Sequence, residues 1–204
     1  MKWLMAVLAA LSIVPAAFAE DVAPDTMVRN VTSEVLDIVR KDKDLQSGNT
    51  RKAMDLVQTK VLPHFNFSRM TALAVGKDWR KATPAQQAAL IDEFRTLLVR
   101  TYSKALTEYR EQTIDYKPLK MQPGDTDVTV HTLIVQRGAK PVQLDYNIEK
   151  ADQSWKVYDI SVGGVSLVTN YRSSFAQEIS ANGIDGLIKS LRDKNQGGDA
   201  AARK

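Results

Sequence analysis

Apolar positions between Asp25 and about Lys41 recur at intervals of three and four. Met27, Val31, Val35, Ile38 and Val39 make one stripe of an amphipathic helix. The polar run KDLQSGNT interrupts it, and a second helix is expected from Thr50 to about Leu62, with Ala53, Leu56, Val57 and Val61 inward and Pro63 as its stop. A short helix follows over Ser68–Val75, closed by Gly76. Thr83-Pro84-Ala85-Gln86 reads as a capping box with proline at the first helical position. The stripe behind it, from Leu90 and Phe94 through Leu98 and Tyr102 to Leu106 and Tyr109, predicts one helix about 39 Å long.

The period then changes from helical to alternating. Thr113–Met121, Asp127–Gln136, Pro141–Glu149 and Trp155–Val162 read as four strands joined by the short connectors QPGD, RGAK and ADQS, which favours an antiparallel meander. In the third run Val142, Leu144, Tyr146 and Ile148 share one face, and Gln143, Asp145, Asn147 and Glu149 share the other. Gly163-Gly164 then turns the chain, with Ser166 as N-cap of a helix carrying Val168, Tyr171, Phe175 and Ile179 inward and ending near Asn182-Gly183. GIDGLIKSLRDKN supplies a last helix. The fold class is α+β: a four-stranded antiparallel meander packed on one face by about six helices.

Composition changes this picture at the two ends of the chain. Lys2, the apolar Trp3–Val14 and Ala17-Phe18-Ala19 have the layout of a secretory signal, so residues 1–19 are expected to be removed and the mature chain to start at Glu20. Residues 20–195 form a single domain, and 196–204 a flexible polar tail. The chain has no cysteine, so its core must hold the fold without disulfides. Its formal net charge of +4, about +3 without Lys2, is too small and too evenly spread for a nucleic-acid-binding surface.

Catalytic and metal-binding patterns are sparse. The two histidines, His64 and His131, have no second ligand at metal-binding spacing and read as structural. Gly164-Val165-Ser166-Leu167-Val168 approaches the nucleophile elbow, but Val168 stands where the motif needs glycine, so Ser166 reads as a cap. Asp145 belongs to the polar face of its strand. Asp145 and Asp159 each read as a solvated or capping carboxylate, with the general base of a cone-shaped isomerase or hydratase as the alternative for either. No catalytic residue and no metal ligand is assigned.

FNFSRMTALAVGKDWRKATPAQQ, YDISVGGVSLVTNYRSSF and the later NGIDGL resemble the toluene-tolerance, or MlaC, family of periplasmic phospholipid carriers, and the similarity extends over essentially the mature chain. The resemblance implies a monomeric periplasmic shuttle with no cofactor. Such a shuttle exchanges phospholipid between an outer-membrane lipoprotein complex and an inner-membrane ABC transporter bearing a substrate-binding ring. It also implies that acyl chains lie between sheet and helices. On that basis the expected walls are Val142, Leu144, Tyr146 and Ile148 on the sheet, Phe94, Leu98, Tyr102 and Leu106 on the long helix, and Val165, Leu167, Val168 and Tyr171 after the glycines. Arg172, with Lys77 and Arg80, is the expected contact for a phosphate headgroup. The rival readings are the cone-fold enzyme and a lipid-free protein adaptor.

Overall fold

The computed structural model describes residues 22–152 and 154–201, so the expected signal segment lies outside the described residues. Local capping chemistry sets most helix boundaries. α1, Pro24–Lys41, starts on a proline, and α2, Lys43–Gln46, is capped by Asp42 accepting from the backbone N–H groups of Asp44 and Leu45 at 3.0 and 3.2 Å. Asn49 caps α3, Thr50–Leu56, which widens into a π-turn over Val57–Val61 and closes in a 3₁₀ turn at Leu62–His64. α4 runs Phe67–Val75 and ends at Gly76, whose φ of 67° is easy only for glycine. α5, Pro84–Tyr102, carries the full capping box between Thr83 and Gln86.

The single long helix expected through Tyr109 is interrupted. Ser103 is buried, its hydroxyl donates back to the Val99 carbonyl at 2.5 Å, and the next turns tighten to bonds such as Leu106 N–H to Ser103 C=O at 3.1 Å. α5 is therefore about 28 Å long. The short α6, Lys104–Thr107, follows as a separate turn packed on α2 and α3.

The strands are β1 Thr113–Tyr116, β2 Asp127–Val135, β3 Val142–Ala151, β4 Ser154–Val162 and β5 Val165–Ser166, ordered β1-β2-β3-β4-β5 and antiparallel throughout. The sheet thus has five strands rather than four. The fifth exists because Gly163 and Gly164, with φ of 58° and 84°, both take the left-handed conformation of a two-residue hairpin and fold Val165 back onto Val162. α7, Leu167–Ala201, follows at once and kinks at Gly183, where φ is 70° and ψ is −176°. That kink falls where the sequence ends one helix and begins the next.

Ser166 does cap α7: its Oγ accepts from the Thr169 N–H at 3.0 Å and donates to Asp159 at 2.6 Å. Asp159 in turn accepts from the Val168 N–H at 3.1 Å. Ser166 and Asp159, two of the groups weighed for catalysis, are thus engaged in starting a helix, where a carboxylate also meets the positive end of the helix dipole.

Three apolar clusters follow from this layout. Met70, Leu90, Phe94, Leu98, Val168, Phe175, Leu187 and Leu191 join α4, α5 and α7 into a helical layer. Met27, Val28, Val128, Val130, Ile148 and Val157 join α1 to the sheet. Val35, Val39, Leu45, Ala53 and Leu56 close the far end of α1. On the wet face of the sheet, the Arg69 guanidinium lies 3.5 Å from the Tyr158 ring centre. It donates to Glu149 and, at 2.8 Å, to Asp127. Tyr158 is the extra residue of a β-bulge between Val157 and Asp159, and burial, followed by its bond to Asp127, pushes its phenol up to about 12.

Candidate functional site

The alternation of β2, β3 and β4 places Ile134, Leu144, Tyr146, Val157 and Ile160 on one face of the sheet, joined by Ile114 from β1. α1 crosses this face with Met27, Val28, Val31, Val35 and Leu36. The π-turn segment adds Val61, His64 and Phe65, and α6 with its exit adds Ala105, Leu106, Tyr109 and Gln112. These residues surround a cavity of about 390 Å³. α6 itself packs on α2, α3 and the end of α5, and from there Ala105 and Leu106 reach the cavity.

The lining is apolar, with Thr32, His64, Tyr109, Gln112 and Tyr146 as its polar side chains and no aspartate, glutamate, lysine or arginine among them. Burial, and after it the positive charge of Lys156, lowers the His64 pKa from its ordinary value, so the ring is neutral at pH 7. Burial, with the neighbouring Tyr116, holds the Tyr146 phenol protonated well above its ordinary range. A dry space of this kind suits hydrocarbon and offers little to a polar or reacting molecule.

Of the expected wall residues the cavity takes Leu106, Leu144 and Tyr146. The others lie elsewhere. Phe94 is completely buried in the helical layer, edge-on to Tyr171 and Phe175 at ring separations of 5.0 and 5.1 Å, and Leu98 and Val168 share that layer. Ile148 is fully buried between sheet and α1, deeper than the cavity. Val142, Val165 and Tyr102 are exposed at 43%, 60% and 39%, and Leu167 is half-buried at the start of α7.

A 3.6-residue stripe marks a buried helix face without saying what buries it, so periodicity does not distinguish residues that line the cavity from residues of the helical layer. Here α4 and α7 cover α5. The wall supplied by α1 was visible as the Met27–Val31–Val35 stripe, but its facing partner was not. Tyr109 and Leu106 belonged to the stripe of the supposed long helix.

The expected headgroup residues are also apart from the cavity lining. Arg172 donates from Nε to the Leu73 carbonyl at 3.0 Å, tying α7 to α4. Lys77 borders a separate depression with Asp78, Lys81 and Ile184, and Arg80 is exposed on the 3₁₀ turn Gly76–Lys81. His131 bonds Asp145 at 2.9 Å on the wet face. Among the described residues no group of three His, Cys, Asp or Glu could hold a metal ion, and no helix is long and apolar enough to cross a membrane.

A meander with helices packed over its apolar face and an uncharged, partly open pocket between them defines an α+β domain built round a hydrophobic pocket. The chain belongs to the MlaC protein family, which it matches over residues 29–193. It is 27% identical to the toluene tolerance protein ttg2D of Pseudomonas putida, covering 89% of this chain and 87% of that protein. It is 23% identical to the intermembrane phospholipid transport system binding protein MlaC of Haemophilus influenzae, covering 94% and 92% respectively. A solved phospholipid-binding protein from Ralstonia solanacearum, in complex with a phospholipid, superposes with a TM-score of 0.80 at 40% identity over 87% of this chain and 98% of that one.

Proposed function

We propose that the mature chain is a periplasmic phospholipid carrier, exported by removal of residues 1–19, that holds acyl chains in the cavity between α1, α6 and the sheet. It would exchange lipid between an outer-membrane lipoprotein complex and an inner-membrane ABC transporter with a substrate-binding ring. The uncharged apolar cavity of about 390 Å³ carries this reading. The names of its relatives and the phospholipid bound to the Ralstonia protein support it.

At about 30 Å³ per methylene-sized group the space accepts roughly a dozen such groups, on the order of one acyl chain. Burying a dozen methylenes is worth about 10 kcal/mol relative to water, at about 0.8 kcal/mol each. Relative to a bilayer the transfer is close to neutral, because both surroundings are hydrocarbon. Such a site holds lipid against water yet surrenders it to a membrane or an equally apolar partner, and it needs neither a nucleophile nor a cofactor.

The test is direct. The protein purified from a Gram-negative host is extracted with organic solvent and the extract analysed by mass spectrometry. Phospholipid in stoichiometric amount is expected. Lipid-free protein that also takes up none from vesicles would overturn the carrier reading.

A further inference from the structure

Beside the apolar cavity, and sharing Tyr109 with it as a wall, lies a second depression of about 590 Å³ bordered by Arg40, Arg110, Glu111, Gln136 and Arg137. Three guanidinium groups and one carboxylate line it, in a chain whose charge is otherwise evenly scattered. Their neutralisation is incomplete. Arg110 is held by backbone carbonyls, its Nη1 donating to Thr107 at 2.8 Å and to Tyr109 at 2.7 Å, so it is positioned without being paired to a carboxylate. Arg137, exposed on the β2–β3 turn, makes no hydrogen bond or ion pair among the described residues. Arg40 reaches Asp37 at 3.3 Å, between two well-exposed side chains, and is otherwise directed to the Tyr109 hydroxyl at 2.6 and 3.1 Å.

The boundary between the two spaces is fixed. The Tyr109 hydroxyl accepts from Arg40 and donates to the Gln112 carbonyl at 2.9 Å, while the Gln112 amide donates to Gln136 at 3.3 Å. Gln112 lines the apolar cavity and Gln136 the basic depression. Polarity therefore changes across one side chain: hydrocarbon-compatible surface on one side of Tyr109, unpaired cationic donors on the other. An amphiphile with an anionic phosphodiester next to its acyl chains matches that sequence of surfaces.

We infer that Arg110 and Arg137, with Arg40 behind them, form the site that receives the phosphodiester of the bound lipid. This inference rests on the carrier reading, and it moves the headgroup contact from the Arg172 side of the molecule to the end of α6. Guanidinium donors pair with phosphate oxygens in a way that a flexible ammonium does not fully reproduce. The site reads the phosphodiester shared by all glycerophospholipids, so it distinguishes phospholipid from diacylglycerol rather than one phospholipid from another.

The experiment measures partition of a tail-labelled phosphatidylglycerol, and separately of the matching tail-labelled diacylglycerol, from phosphatidylcholine vesicles into the purified mature protein. The wild type is expected to favour the phospholipid. Arg110→Gln with Arg137→Gln is expected to reduce the ratio of phospholipid to diacylglycerol uptake about tenfold, the product of two solvent-exposed charge contacts. Arg110→Lys with Arg137→Lys should restore part of the preference.

An unchanged ratio in the glutamine variant, with an unchanged thermal melt, overturns the proposal. Loss of the ratio together with loss of the melt is resolved by the lysine variant, which must then show an intermediate ratio for the proposal to stand. Uptake of neither lipid by the wild type refutes the carrier reading instead. Inorganic phosphate that binds the wild type through the same arginines while leaving the lipid ratio untouched makes this a free-anion site and also overturns the assignment.

Discussion

Replacing Leu144 and Leu106 together by tryptophan separates a cavity wall from an ordinary core. The two residues face the same space from opposite sides, Leu144 from β3 and Leu106 from α6. Each exchange adds a volume of roughly two methylene-sized groups, so the pair removes about four of the dozen that the cavity accepts. At about 0.8 kcal/mol per methylene the lost burial is about 3 kcal/mol, or on the order of a hundredfold in lipid retention. Folding stability should move by no more than about 1–2 kcal/mol, because the new rings enter open space instead of overpacking filled space.

Phe94→Ala provides the opposite case. Phe94 is fully buried against Tyr171 and Phe175, and its truncation should cost about 3–5 kcal/mol of stability while leaving lipid per folded molecule unchanged. Lipid phosphorus per protein after incubation with vesicles, and urea unfolding of the same samples, give both quantities. Wild-type lipid content in the double tryptophan variant, with loss of lipid in folded Phe94→Ala, would refute the division of the interior into a cavity and a helical core.

Asp159→Ala removes the carboxylate that holds both Ser166 and the first turn of α7, and should lower the urea stability by about 1–2 kcal/mol; an unchanged midpoint would discount the cap. Arg69→Met leaves Glu149 and Asp127 without their shared cation at the bulge and should cost about 1–3 kcal/mol, with Glu149→Gln recovering part of that loss in a double-mutant cycle. His64 is held neutral in the fold, so as pH falls the unfolded chain takes up a proton first, near its ordinary value of about 6.5. The wild type should lose stability relative to His64→Gln as pH drops from about 7 through the lowered folded value, with no pH-dependent difference above that window. A difference that stays flat with pH, measured by urea midpoints, would contradict a desolvated His64.

The local grammar of this chain was written in side chains that act on their own neighbours. The Thr83–Gln86 capping box, the stop at Gly76, the break at Gly183, the alternation of β3 and the capping role of Ser166 all depend on contacts within a few residues, so they were legible without a fold. The α+β class followed from the order of those elements, and the resemblance to the MlaC family followed from two specific stretches of sequence.

The fifth strand was less legible, because two consecutive left-handed glycines serve a hairpin and a simple strand-to-helix turn equally well. The break at Ser103 was hidden inside an unbroken apolar stripe, since tightening from i→i+4 to i→i+3 bonds leaves the hydrophobic spacing nearly unchanged. Phe94 and Leu98, before that break, lie in the helical core, whereas Leu106 and Tyr109, after it, line the cavity together with α1. Periodicity reports that a face is buried, and only the tertiary arrangement determines whether protein or an empty space lies against it.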